Sequence, residues 1–422
     1  MATNTDETNI IVIDDEALPR RKKRKRVNHP NGIPPHQSPS DSSDGNSSDS
    51  SESPPLSDRP YRPWLYYDTL TPNNMGPRLT LFYTRLLDFQ KHKGIISNTL
   101  RSHFQNSSDP ISKSLDDEAF YEPTWKEPRQ ERRLLPIVKE IVQSAEKCCS
   151  QEFDKTGWNS LVYTPILSAA LQNMMPYPDR QGVDFAPCER AAIRLVYEKF
   201  SIAKPHVDFM LYMVPSATND RLAHKALLKR RDEHGSVNFT PFRPTSKYPV
   251  GLTIKSKDGE NRLSPEVHLS AWQAAQWRSL CEMAGSDIKG LEFLPGIIVD
   301  GHEWKFIATT WKNGRTTLLS SLPLGSTTTE VGVYRIMAGI KLLSKWVVYV
   351  FWPWYREFCL GLEPMEQNSQ STSQPGMPQS GMPQQGMPQP GMSQPNMSQP
   401  NMSQPGMSQG EASNDVGSSS QS

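Results

Sequence analysis

The sequence has little cysteine and little apolar material for its 422 residues. The five cysteines are odd in number, two of them are adjacent, and no two have Cys-x-x-Cys spacing. This argues against a disulfide framework and a zinc site, and predicts an intracellular protein. The hydrophobic share of 36% is too low for one uniform globule. The 10 Trp, 14 Phe and 13 Tyr nevertheless exclude a chain that is disordered throughout.

Long apolar runs are also lacking. Residues 1–8 are polar, so we expect no secretory signal. The most apolar stretch, 346–355, has ten residues and follows Lys341 and Lys345. A stretch of that length is too short to cross a bilayer. The sequence therefore predicts a soluble protein without a membrane partner.

Charge divides the chain into three regions. Residues 1–60 carry 8 basic and 10 acidic side chains, whereas 364–422 carry no basic and 3 acidic ones. Residues 61–363 carry 38 basic and 32 acidic side chains, a net charge of +6. We therefore expect a mildly basic globular body over 61–363, large enough for a substantial core, between two disordered tails.

The N-terminal tail contains a compact basic run after Pro19. Such a run in a polar tail favours recognition by a nuclear import receptor, and hence a nuclear protein, over a merely solvated charge run. Its residues are Arg20, Arg21, Lys22, Lys23, Arg24, Lys25 and Arg26.

A short apolar segment precedes this run. Its residues are Ile10, Ile11, Val12 and Ile13, followed by three acidic residues. The pattern suits a peptide that adds a strand to a partner's sheet, and it resembles a SUMO-interacting motif. A strand that pairs with the body, or a chance apolar run, are the alternatives.

The C-terminal tail is a low-complexity repeat. Methionine recurs every five residues from Met377 to Met407, among Gln, Pro, Gly, Asn and Ser. Proline and glycine at this frequency disfavour helices and long strands, so we expect no packed structure there. The repeat suits weak self-association, but the pattern favours a replication-slippage repeat with little function.

The periodicity of the body predicts helices and strands in an α/β or α+β order. Predicted helices cover 77–93, 132–149, 158–174, 187–199, 264–285 and 331–351. Predicted strands cover 206–214, 248–257, 295–299, 303–309 and 316–320. We expect one sheet with helices packed on it.

Charged residues in two apolar strands are the candidate chemistry. Asp208 is a lone acid in its strand, and Lys255 and Lys257 lie two apart on the next strand, on one face. A buried carboxylate is costly unless it is paired or bound to a cation. Acids that hold Mg²⁺ beside a lysine form the skeleton of a metal-dependent phosphodiesterase. The alternative is an edge strand with both lysines in solvent and Asp208 as their salt-bridge partner.

Three motifs in order carry a resemblance. Asp208 is followed by IKSK at 254–257 and by HLSAWQAAQW at 268–277. This resembles the fungal PD-(D/E)XK nuclease-like domain family over about 120–362. The resemblance implies a restriction-endonuclease-like mixed sheet flanked by helices, and Mg²⁺ if the protein is active. It also implies a site at Asp208, Lys255 and Lys257, with His268 and Trp272 in the helix motif.

The sequence departs from that family where acids are expected. The family's glutamate of Glu-x-Lys falls on Lys255, and the acid three residues before Trp158 falls on Lys155. The glutamine of the helix motif falls on His268. Glu152, Asp154 and Glu266 are candidates to share a metal with Asp208, and Asp258 is a poorer one. A lysine at 255 also suggests a tethered cation in the metal position.

Three functions follow from these patterns. The first is a nuclear protein that binds DNA or RNA through a nuclease-like fold and cleaves weakly or not at all. The second is an active Mg²⁺-dependent endonuclease with a migrated acid. The third is a non-enzymatic scaffold that recruits partners through its tails.

Overall fold

A seven-stranded mixed sheet organises the part of the chain that the structure describes. The computed structural model describes residues 65–68, 74–123, 128–198, 205–257, 263–285 and 288–363. The chain divides into two units, Met1–Glu366 and Gln367–Ser422, and all described residues belong to the first. The basic run, the apolar segment at 10–13 and the methionine repeat lie outside the described residues.

The sheet contains both parallel and antiparallel neighbours. Its order is β1-β9-β8-β7-β6-β5-β4, and the pairs β1/β9 and β6/β7 are parallel while the others are antiparallel. Strands β2 and β3 form a separate parallel pair. The strands are β1 (Leu65–Asp68), β2 (Ile96–Ser97), β3 (Phe120–Tyr121), β4 (Gly182–Pro187), β5 (Phe209–Val214), β6 (Val250–Ser256), β7 (Leu294–Asp300), β8 (Glu303–Lys312) and β9 (Arg315–Ser326).

Helices cover both faces of this sheet. The α-helices are α1 (Pro77–Gln90), α2 (Arg101–Gln105), α3 (Pro110–Lys113), α4 (Pro128–Ser150), α5 (Lys155–Trp158), α6 (Thr164–Leu171), α7 (Arg221–His234), α8 (Pro265–Ala284), α9 (Glu330–Trp346) and α10 (Trp352–Trp354). Single π-helical turns occupy Asn159–Tyr163, Val347–Phe351 and Tyr355–Cys359. Short 3₁₀ turns occupy Asn98–Leu100, Asp117–Ala119 and Arg243–Thr245.

The two faces of β5 enter two different cores because successive side chains alternate. Phe209 and Leu211 join the larger core, which also takes in residues of α1, α4, α6 and α9. Met210 and Tyr212 join a smaller core around Trp272 of α8. The expected mixed sheet flanked by helices is thus confirmed.

Helix α8 is fixed on the smaller core by its first turn and by two buried glutamines. Ser264 accepts a hydrogen bond from the Val267 amide, which is typical of an N-cap before a proline in the first turn. Gln273 donates to the Pro295 carbonyl and Gln276 to the Val250 carbonyl, each at 2.7 Å. These two bonds fix the middle of α8 against the first residues of β6 and β7.

The helix predicted over 187–199 is wrong. Pro187 ends β4, and the Cys188 amide continues the ladder by donating to the Asp208 carbonyl at 2.8 Å. The described residues beyond it form turns, and Leu195 and Val196 are 85% and 67% exposed. The edge pairing of β4 thus extends to Cys188, where the helix was expected to begin.

The last helix does not end before Pro353, contrary to the prediction. The path continues from α9 through a π-helical turn into α10, where Pro353 lies in the first turn. The π-helical turn accommodates Pro353, which has no amide N–H to donate to the preceding turn. The 30-residue stretch Glu330–Cys359 is long and apolar enough to cross a membrane, but 67% of its most apolar window is buried inside the fold. Its packing is that of a core helix.

Candidate functional site

Asp208 is completely buried where β5 meets β6. It immediately precedes β5, and its amide donates to the Ile254 carbonyl at 2.8 Å. The pairing of Phe209 with Ile254 continues to place Asp208 opposite Lys255. Asp208 thus lies just before the start of β5 and beside the last residues of β6, and both are inner strands of the sheet.

Two ammonium groups hold the Asp208 carboxylate. Lys155, the first residue of α5, forms an ion pair with Oδ1, and Lys255 Nζ lies 3.3 Å from Oδ2. The Ser256 amide and hydroxyl also donate to Oδ2, at 2.6 Å and 2.9 Å. Both carboxylate oxygens are therefore engaged by the protein itself.

Lys255 is buried rather than solvent-facing. Its side chain is 1% exposed, and β6 is an inner strand of the sheet. The alternative of an edge strand with both lysines in solvent is therefore wrong for Lys255, although its ion pair with Asp208 is present. Lys155 is slightly more open, with 16% of its side chain exposed.

The ion pairs set the protonation of this cluster. Burial raises the pKa of Asp208, but the positive charges of Lys255 and Lys155 and the Ser256 amide outweigh it and hold the pKa below its ordinary value. Burial, together with the charge of Lys155, lowers the pKa of Lys255, while Asp208 opposes that shift. The cluster thus places two basic side chains around a single carboxylate.

Two histidines complete the buried cluster. The Lys255 ammonium lies 3.2 Å from His206 Nε2, and the His206 ring meets the His268 ring edge-on at 4.7 Å. His268 is 2% exposed. Burial, then the charges of His206 and Lys255, lower the pKa of His268 to about 4. The position where the family pattern has glutamine thus holds a neutral imidazole near pH 7.

Lys257 belongs to a different, exposed pair. Its ammonium lies 2.9 Å from Asp300 Oδ2 at the end of β7, and about half of each side chain is exposed. This hydrogen bond, with a smaller contribution from Glu266, raises the pKa of Lys257. The structure thus brings Asp208 and Lys255 together and directs Lys257 toward β7.

The remaining predicted residues occupy varied positions. Glu152 is exposed in a turn with a φ of 51°, after α4. Glu266 is half-buried in the first turn of α8. Trp272 is completely buried and packs edge-on against Phe239, as expected of a core side chain.

Sequence reasoning did not assign site roles to several neighbours of Asp208. Lys155 had a signal, because it lies three residues before Trp158 where the family pattern has an acid. Glu189 accepts from the Asn159 amide group, next to the Cys188–Asp208 ladder contact. Glu189 had no signal, because its position depends on the pairing of β4 with β5. His206 had none, because its contacts are with Lys255 of β6 and His268 of α8.

The residues around Asp208 do not fit a divalent metal ion. Mg²⁺ needs carboxylate oxygens in octahedral geometry, and both oxygens of Asp208 are already bound to ammonium groups. Within the described residues, no three His, Cys, Asp or Glu side chains are grouped so that they could hold a metal. The arrangement is that of a closed ion-pair cluster.

Sequence comparison gives one family result. The sequence model of the PD-(D/E)XK nuclease superfamily matches residues 103–352, which include α4 to α9 and the cluster at Asp208. No curated protein matched the chain.

Proposed function

Because the chain belongs to the PD-(D/E)XK nuclease superfamily, we propose that it is a nucleic-acid-binding member in which phosphodiester cleavage has been lost. The observation that carries this proposal is the Asp208 carboxylate, whose two oxygens are paired with Lys155 and Lys255. Lys155 and Lys255 lie at two positions where the family pattern has acids. Both lysines form ion pairs with Asp208.

Charge explains why cleavage would be lost. A divalent ion at Asp208 would have to displace two ammonium groups from a buried carboxylate. Breaking a buried ion pair costs about 3–5 kcal/mol, because it leaves charges without partners. The ion would also meet two basic side chains beside a single carboxylate. We therefore expect the two lysines to take the place of the metal.

Nucleic-acid binding is supported by the fold family and by the charge of the body. Residues 61–363 carry 38 basic against 32 acidic side chains. Contacts with phosphates supply most of the sequence-independent affinity of nucleic-acid-binding proteins and make it depend on salt. Lys255 cannot supply such a contact, because its ammonium is buried against Asp208.

The test is a combined binding and cleavage assay on the full chain. Labelled duplex DNA, single-stranded DNA and RNA are incubated with protein and Mg²⁺ or Mn²⁺. We expect binding that weakens as salt rises, and no more product than from the Asp208→Asn variant. Metal-dependent cleavage that disappears in Asp208→Asn would show an active enzyme. Absence of binding at low salt would refute the nucleic-acid assignment.

We also propose nuclear localisation, on the strength of the basic run at 20–26. The change to test is alanine at Lys22, Lys23, Arg24 and Lys25 in a fluorescent fusion of the full chain. The expected result is loss of nuclear accumulation, because an import receptor reads clustered positive charge. An unchanged nuclear signal in cells would contradict the proposal.

A further inference from the structure

Helix α7 is strongly basic over most of its length. Its first eleven residues, from Arg221 to Arg231, contain five lysines and arginines and no acid. Only its last turn is acidic, with Asp232 and Glu233. The Asp208 cluster, by contrast, has its charges buried in internal pairs. The described part of the protein therefore has a second, open concentration of positive charge.

Three of these cations form one exposed row. Arg221, Lys225 and Lys229 are spaced four residues apart, so they follow one another along a single face with a rise of about 6 Å per step. All three are exposed, and the Lys229 side chain is 76% exposed. Ala223 and Leu227 are buried and attach the helix to the core. We call Arg221, Lys225 and Lys229 the α7 basic row.

Nearby acids neutralise this row only weakly. Asp220 caps the helix by accepting from the Ala223 amide, and it forms a buried ion pair with Arg356 at 3.1 Å. Its charge is thus balanced inside the protein. Lys229 and Glu233 are 3.8 Å apart on the surface. An exposed pair of this kind contributes about 0–1 kcal/mol, so a phosphate can replace it.

A neighbouring loop adds a further cation. The Asn219 side chain donates to the Asp179 carbonyl at 2.6 Å, and the Ser216 hydroxyl donates to the Pro178 carbonyl at 3.1 Å. These bonds dock the loop just before the start of α7. In that loop Arg180 lies over the ring of Tyr177, at 4.6 Å from its centroid. Tyr177 is 56% exposed.

The start of the row lies at the opposite end of the sheet from Asp208. Asp208 precedes β5, whereas α7 begins soon after β5 ends at Val214. Six residues of strand span roughly 20 Å. The Asp220 amide donates to the Ser216 carbonyl, which keeps the start of α7 at that far end. A ligand on this part of the row would therefore lie away from the Asp208 cluster.

We propose that the α7 basic row, together with Arg180, binds the sugar–phosphate backbone of nucleic acid at this far end of the sheet. The inference rests on the proposed function and gives it a location away from the Asp208 cluster. Three exposed cations at regular spacing, with few competing acids, suit a chain of phosphates. No contact with base edges is required, so binding there is not specific for sequence.

The test measures binding of a labelled 25-base-pair DNA duplex to the full chain at several salt concentrations. The variant is Lys225→Ala with Lys229→Ala, because alanine preserves helix propensity at exposed positions. The matched control is Arg132→Ala with Lys139→Ala, which removes two exposed cations from α4. Circular dichroism and thermal unfolding verify that each variant folds.

We expect the α7 variant to bind the duplex more weakly and to show a smaller slope of log K against log salt. Each lost phosphate contact reduces the slope of log K against log salt by about 0.9 for duplex DNA, so the variant should lose roughly 1.8. This corresponds to about a 10- to 60-fold weaker affinity at 0.1 M salt. The control should keep the slope of the original protein.

Three outcomes would overturn the inference. If the original protein binds and the α7 variant has the same affinity and slope, the row is not the site, although the proposed function survives. If the original protein binds no nucleic acid, both proposals fail. If phosphatidylserine vesicles bind through Lys225 and Lys229 while the duplex does not, the row contacts a membrane surface instead.

Discussion

At the scale of single residues, His268 is a buried imidazole that makes no side-chain hydrogen bond within the described residues. Both its ring nitrogens lack a hydrogen-bond partner among the described residues. Its neighbours His206, Lys255 and Lys155 disfavour a positive charge on the His268 ring, while Asp208 favours it. Its pKa is lowered to about 4 in the folded state, whereas an unfolded histidine has a pKa of about 6.5. Between these two pH values the imidazole is neutral in the folded protein and protonated in the unfolded chain.

This difference predicts a loss of stability in mild acid. Between the unfolded pKa of about 6.5 and the folded value, the unfolded chain binds more protons, so stability falls as pH falls. The free energy of unfolding should drop by about 2 kcal/mol from this residue between pH 7 and pH 5. Asp208 stays ionised between pH 7 and pH 5 in both the folded and the unfolded chain. Its pKa is lowered in the folded state, so its contribution to stability is lost only at more acidic pH.

Urea unfolding of the full chain and of His268→Gln at pH 7, 6 and 5 measures this effect. The original protein should lose about 2 kcal/mol more than the variant over that range. Glutamine does not titrate, so the difference between the two proteins isolates the imidazole. Parallel losses in the two proteins would show that His268 is protonated equally well in the folded and unfolded chains.

At the scale of elements, local chemistry determined which predictions were right. The α8 helix has a serine cap, a proline in its first turn and no glycine or further proline, and its bounds agree within a residue. The dipeptides Asp300-Gly301 and Asn313-Gly314, at the hairpin turns after β7 and β8, are typical of such turns. Gly301, Asn313 and Gly314 do have positive φ there, as tight turns require.

Elements that depend on distant partners were not predicted. Strand β1 pairs with β9, more than two hundred residues away, and β4 is held by β5. The sequence around β4 instead suggested a helix. Because β4 was missed, Glu189 could not be placed near Asp208. Pro353 was taken as a stop, because a π-helical turn before a proline leaves no periodic signal.

The candidate site was predictable only in part, for the same reason. Asp208 and Lys255 were found because each is a charged residue in an apolar strand. They lie close together because β5 pairs with β6, the next strand along the chain. The role of Lys155 was not assigned, because it lies on a helix far along the chain. That Lys257 pairs with Asp300 also depends on the position of β7, which the sequence alone did not give.

At the scale of the whole molecule, positive charge is divided between two locations. At one end of the sheet, Lys155 and Lys255 are committed to Asp208 inside the protein. At the other end, Arg221 begins a row of exposed cations. In our account, the superfamily fold is kept as a binding scaffold, while the former position of a catalytic metal is filled by side chains.

The most direct test of this account is Mn²⁺ binding to the full chain, measured by electron paramagnetic resonance. Three proteins are compared: the original, Asp208→Asn, and the double variant Lys155→Glu with Lys255→Glu. Thermal unfolding checks that each is folded, and subtraction of the Asp208→Asn signal removes ions bound elsewhere. We predict no Asp208-dependent Mn²⁺ in the original protein, and one ion bound more tightly than about 1 mM in the double variant, because carboxylates would replace the ammonium groups. An ion that binds the original protein and disappears in Asp208→Asn would contradict the claim that lysines occupy the metal position.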